Sequence, residues 1–237
     1  AAPPELPVSW ARELTEGLAA ECARSGASVI GGDTARAGSV LLAVTGLGDL
    51  GGRNPVLRSG ARPGDVVAVA GPLGHAAAGL ALLMAGLPGD PLVRAHLRPA
   101  PPYDAGPEAA ALGATALIDV SDGLLADLGH VADASGVQIR LVSDGLRPER
   151  ELLAAARKIS ERTGSLSRPA PPGTPADVAQ EWVLTGGEDH SLVATFPAGT
   201  RLPPRWRVLG EVGPGTGVVV DGQPRSGDPG WDHFASG

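Results

Sequence analysis

Asp119-Val120-Ser121-Asp122-Gly123-Leu124-Leu125-Ala126-Asp127-Leu128 decides the reading of this chain. A mostly apolar stretch, Ala114 to Ile118, carries Asp119 to the end of a predicted strand. Ser121 and Asp122 are favoured helix N-cap residues, and Leu124, Leu125, Leu128 and Val131 then recur at helical spacing. The run reads as a strand-to-helix corner. Two carboxylates three residues apart at such a corner suit a divalent cation, and the helix N-terminus offers backbone N–H groups to a phosphate. A capped helix following a strand describes the same residues without any chemistry. Two further acidic glycine motifs favour the chemical reading: Gly31-Gly32-Asp33-Thr34 and Thr185-Gly186-Gly187-Glu188-Asp189.

Outward from this corner the pattern is mixed α/β. On the N-terminal side, Trp10, Leu14, Leu18 and Cys22 repeat every four residues and predict a helix over 8–25 with one apolar face. Short strands are expected at Ala27–Ile30 and at Val40–Leu47, the latter apolar enough for burial on both faces. A strand over Asp65–Ala70 is broken by Gly71-Pro72-Leu73-Gly74 and followed by a helix over Ala76–Ala85; a second helix spans Pro107–Leu112. Beyond the corner come a strand at Gln138–Val142 and a helix at Glu149–Glu161, and Glu181–Leu184 then leads into Thr185-Gly186-Gly187. Strands at Ser191–Phe196, Trp206–Leu209 and Val218–Val220 complete the pattern. Proline clusters at Pro99–Pro107, Pro169–Pro175 and Pro203-Pro204 read as connectors. Neither GxxxxGK[ST] nor a strand-placed GxGxxG occurs, so P-loop and Rossmann readings lose their support.

Composition narrows the function classes. A chain of 237 residues with 43% hydrophobic residues can bury a sizeable core in one large or two small domains. Its formal charge of −7 argues against a general nucleic-acid binder, and suits a protein that meets nucleotide phosphates through a cation. One cysteine, Cys22, excludes an intrachain disulfide; its place in the apolar helical pattern suggests a small buried hydrophobe. No stretch is long and apolar enough for a membrane span, and no secretory signal opens the chain, so a cytoplasmic setting is the default.

Five segments, in order, resemble the thiamine-monophosphate kinase family, within the superfamily that includes aminoimidazole ribonucleotide synthetase and selenophosphate synthetase. They are Ile30-Gly31-Gly32-Asp33-Thr34, the stretch Leu57–Asp65, Ile118–Leu124, Leu184–Asp189 and Gly230-Trp231-Asp232-His233-Phe234. The last is the most specific of them. The resemblance implies an ATP- and Mg²⁺-dependent phosphorylation of thiamine monophosphate to thiamine diphosphate. It implies a two-part α/β architecture, with residues 1–50 the end of an N-terminal ATP-binding and dimerisation domain and 51–237 the C-terminal α/β domain. It implies a homodimer. At matched positions, Gly32, Asp33, Arg58 and Ser121 would meet ATP, Asp33, Asp119 and Asp122 would hold Mg²⁺, and Glu188 and Trp231 would meet the substrate.

From the residues alone, Asp33 could equally cap a turn, Arg58 stand in solvent, Glu188 cap a loop and Trp231 anchor a core. His75, His130 and His190 are read as surface or packing residues, because the acceptor phosphate needs little help from a base. The family's front segment, with its Gly-Asp-Asp, Thr-Asp and Asn-Leu-Ser-Asp-Leu motifs, is not among these residues. A polypeptide starting at Ala1 is therefore expected to lack kinase activity and to expose the strand 40–47. Pro102 and His190 depart from the arginine and tyrosine usual in the family. The alternatives are a related ATP-dependent synthetase and a catalytically degenerate nucleotide-binding member.

Overall fold

In β1 (Val66–Ala70), successive side chains point to opposite faces of the sheet, and both faces are covered. Val67 and Val69 enter a large core, while Ala68 and Ala70 enter a smaller one behind it. The computed structural model describes residues 1–163, 173–225 and 227–231. It divides into two units, Ala1–Pro55 and Val56–Gly237.

The second unit is built on a seven-stranded sheet. Its strands are β1, β2 (Ala116–Val120), β3 (Gln138–Leu141), β4 (Ser191–Phe196), β5 (Trp206–Gly213), β6 (Gly217–Val220) and β7 (Gln223–Pro224), in the order β2-β4-β1-β5-β3-β6-β7. Every neighbouring pair is antiparallel except β3 with β6. The large core lies between the sheet and α2 (His75–Met84), α3 (Pro91–Leu97), α5 (Leu124–Ser135), α6 (Arg150–Thr163) and α7 (Pro175–Thr185). The smaller core is closed by Ala105 and Ala109 of α4 (Ala105–Ala111), over Phe196 and Trp206, whose rings meet edge-on at 5.1 Å. The mixed α/β class expected from the sequence is the class observed. No helix among the described residues is long and apolar enough to cross a membrane.

The stretch that leads into the third acidic glycine motif is helical. Residues 181–184 form the last turns of α7, which starts at a capping box: the Thr174 hydroxyl accepts from the Asp177 N–H, and the Asp177 carboxylate accepts from the Thr174 N–H. Pro175 stands at the first helical position, where its missing N–H costs nothing. Trp182-Val183-Leu184 is a short apolar run that periodicity cannot assign, and the cap thirteen residues before Gly187 decides it.

The first unit contains α1 (Val8–Ser25), closed by Gly26 in the left-handed region (φ +74°). The apolar face expected on it is not a core face: no residue of α1 is buried, and Cys22 is only half-buried. Neither Ala27–Ile30 nor Val40–Leu47 forms a strand. A strand needs a partner ladder for its N–H and C=O groups, and in this unit the pairing is limited to a single bridge, Ala2 with Arg36. The expected burial of 40–47 on both faces is likewise absent, with Val44 78% and Leu47 84% exposed.

Candidate active site

At the end of β2 the chain turns through Ser121, Asp122 and Gly123 into α5. Gly123 is the N-cap, with φ +132° and ψ +147°, a conformation essentially restricted to glycine. A Cβ there would lie 2.6 Å from the Thr185 carbonyl oxygen. The turn that leads into α5 is tied down from within the helix. Asp127, in its first turn, reaches back, and its Oδ2 accepts from the N–H groups of Ser121 (3.0 Å), Asp122 (3.1 Å) and Gly123 (3.1 Å). This corrects one expectation: the N-cap is Gly123, and neither Ser121 nor Asp122 caps the helix. Burial pushes the Asp127 carboxyl above the ordinary aspartate range, with the three N–H groups pulling the other way.

The loop after α7 runs along this corner. The Glu188 N–H donates to the Ser121 carbonyl and the His190 N–H to the Val120 carbonyl, both at 2.9 Å. Gly187 lies so close that a Cβ would meet the Ser121 oxygen at 2.4 Å. Glu188 (φ +67°) and His190 (φ +51°) are both left-handed, at a cost on the order of 1 kcal/mol or more each. Between them Asp189 is buried, its carboxylate accepting from the N–H groups of Gly74 (2.5 Å) and Ala76 (2.8 Å). Burial raises its pKa, against those two hydrogen bonds. The His190 ring stands between two acids, with Nδ1 3.4 Å from Asp119 and Nε2 3.9 Å from Glu188.

Asp119, Ser121, Asp122 and Glu188, proposed from sequence, are thus gathered along one corner and the loop beside it. The strand and the turn after it then separate the two aspartates. Asp119 is paired in register with Leu192, on the face of the smaller core, and lines a hollow of about 550 Å³ with Arg58, Ser59 and Leu117. Asp122 lines a second hollow of about 560 Å³ with Leu125, His130, Arg225 and Trp231. Trp231 is 68% exposed, and its N–H donates to the Asp122 carbonyl at 2.8 Å. Gly230 makes that approach possible, since a Cβ would meet the Asp122 oxygen at 2.3 Å. Asp232, His233 and Phe234 lie outside the described residues. Gly32 and Asp33 belong to the first unit and are exposed there, with Asp33 Oδ1 accepting from the Thr34 N–H at 2.8 Å, a local turn contact.

Among the described residues, Asp122, Asp127 and His130 offer ligand atoms within 4.8 Å of one another. Asp127 already spends one oxygen on the backbone. Asp119 and Asp122 each present carboxylate oxygens, the hard donors Mg²⁺ takes, in separate hollows. From the sequence, Asp127 and Asp189 carry no assigned role and His190 is read as a surface or packing residue, yet all three belong to the site. For Asp127 the available signal was an acid one turn into a helix that starts at glycine.

Residues 62–171 match the C-terminal domain of AIR synthase related proteins and residues 1–50 their N-terminal domain, which gives the class. Over 98% of its length the chain is 47% identical to thiamine-monophosphate kinase of Mycobacterium tuberculosis and 37% identical to that of Corynebacterium glutamicum. It spans 66% of the first relative and 68% of the second. The chain belongs to the thiamine-monophosphate kinase family. Among solved structures, thiamine monophosphate kinase from Aquifex aeolicus superimposes with a TM-score of 0.74 at 30% identity, covering 94% of this chain and 71% of that one. AaThiL complexed with AMPPCP and TMP superimposes with a TM-score of 0.73 at 28% identity, covering 98% and 71%.

Proposed function

We propose that this protein transfers the γ-phosphoryl group of ATP to the phosphate of thiamine monophosphate, giving thiamine diphosphate and ADP, with Mg²⁺ required. The observation that carries the reading is the division of the corner into two hollows, one holding Asp119 with Arg58 and the other Asp122 with Trp231. In this reading ATP phosphates lie on the Arg58 side, with Ser121, Gly32 and Asp33 as further ATP contacts. Thiamine monophosphate lies on the Trp231 side, with Glu188 as a second contact. Asp33, Asp119 and Asp122 are the proposed Mg²⁺ ligands. Bound Mg²⁺ supplies neutralisation of the phosphate charges.

The bond from the γ-phosphorus to the β,γ-bridging oxygen breaks, and a bond to an oxygen of the acceptor phosphate forms. Such a transfer is limited by positioning and charge, not by covalent help from the protein. The acceptor has a second pKa of about 6, so it is largely ionised at neutral pH and needs no base. A cytoplasmic homodimer belongs to the same proposal. Supplying the gene's complete protein with ATP, Mg²⁺ and thiamine monophosphate should yield thiamine diphosphate by chromatography. Absence of product, while ATP is still hydrolysed or consumed on another acceptor, would turn the assignment towards a related synthetase.

Trp231 separates a thiamine pocket from a mere anchor. Its ring is exposed beside Asp122, where it can stack on a cationic thiazolium. Trp231→Ala should lose on the order of 1 kcal/mol of stacking, raising the KM for thiamine monophosphate about fivefold to tenfold. The KM for ATP and the melting temperature should stay near wild type. An ATP-side defect, or a fall in melting temperature with substrate preference intact, would remove Trp231 from the pocket.

A further inference from the structure

Helix α2 has no cap of its own. Its N-cap is Gly74, at φ +81°, and its first turn carries no acidic side chain. The negative charge that its N-terminus favours comes instead from Asp189, 115 residues further along the chain, whose two oxygens take the N–H groups of Gly74 and Ala76. The link is buried: Asp189 is 4% exposed, and Gly74 and Ala76 are buried with it. It is reinforced next door, where the Ser191 hydroxyl donates to the Pro72 carbonyl and Gly71 packs against Ser191 too closely for any Cβ.

The residues on either side of Asp189 are the left-handed Glu188 and His190. L-residues seldom adopt that conformation, and they keep it only where surrounding contacts over-determine it. Those contacts come from two sides. The 120–121 carbonyls hold the Glu188 and His190 N–H groups, and α2 holds the Asp189 carboxylate. The Glu188 side chain itself is exposed and, among the described residues, has only His190 within ion-pair reach, at 3.9 Å. Its direction is set by its backbone.

We propose that Asp189 is a positioning residue, which holds Glu188 in its substrate-facing direction by tying the Gly186–His190 loop to the N-terminus of α2. The role of Glu188 rests on the kinase reading above; the tie itself does not. In Asp189→Asn one side-chain oxygen remains as an acceptor, but the amide NH₂ opposes a backbone N–H and the charge is gone. The loop then loses one of its two anchors while the fold keeps its core.

Two measurements decide the matter. Hydrogen exchange of the substrate-free protein should speed up in Asp189→Asn both at the first turn of α2 and across 186–190, with α5 unchanged. Acceleration at α2 alone would reduce Asp189 to a helix cap and overturn the proposal. Kinetically, the KM for thiamine monophosphate should rise about tenfold, the scale of one lost charge-assisted hydrogen bond, with the KM for ATP within about twofold of wild type. The double variant Glu188→Gln/Asp189→Asn should be no worse towards thiamine monophosphate than Glu188→Gln alone, because Asp189 acts through Glu188. Additive losses, or equal rises in both KM values, would contradict this. If the wild-type protein forms no thiamine diphosphate, the kinase reading fails, and the exchange experiment still tests the tie.

Discussion

Asp119→Asn and Asp122→Asn are each expected to weaken binding of Mg-nucleotide by at least about tenfold to a hundredfold, the range already seen when a metal ligand loses an outer-sphere partner. An amide keeps the shape of the carboxylate and removes the charge, and a hard dication responds to the charge. Turnover should fall further than affinity, because charge that builds up during transfer is then met by fewer fixed counter-charges. The two variants should differ in one respect. Asp119 stands in the Arg58 hollow and Asp122 in the Trp231 hollow. Asp119→Asn should therefore raise the Mg²⁺ concentration needed for nucleotide binding, while Asp122→Asn should also impair binding of the acceptor phosphate. Calorimetric titration of Mg-nucleotide and initial rates at varied Mg²⁺ would measure both. Unchanged affinity and activity in both variants would withdraw the metal assignment.

The sequence makes some of this site legible and hides the rest for physical reasons. Alternation and short turn signals place β1 to β6 to within a few residues, because their neighbours lie in the same unit and cover at least one face of each. The same apolar signal at Val40–Leu47 indicates a strand that has no ladder within its own unit, so pattern and structure part there. Asp119, Asp122 and Glu188 announce themselves by glycine neighbours and spacing. What spacing leaves out is which side of the sheet each side chain takes, and Asp119 leaves β2 towards the smaller core while Asp122 follows the turn. Asp189 is invisible for another reason. Its partners, Gly74 and Ala76, are backbone groups more than a hundred residues away, and backbone N–H groups carry no sequence signature.

Asp127→Ala is expected to cost about 3 kcal/mol of folding stability, because three backbone N–H groups lose their acceptor at once and a buried volume is emptied. For a unit of this size that is a fall of roughly 6–12 °C in melting temperature. Asp127→Asn keeps an oxygen that can face the same N–H groups, so it should recover a large part of the loss. It also removes the desolvation that burial imposes on the charged carboxylate. The comparison separates two roles of one side chain. If the N–H contacts dominate, Asn lies near wild type and Ala far below. If the helix N-terminus mainly needs a negative charge, Asn falls with Ala. The three contacts at 3.0–3.1 Å to a single oxygen favour the first outcome. An alanine variant as stable as wild type in urea would mean that water satisfies the turn, and that the Ser121–Asp122 corner keeps its shape without Asp127.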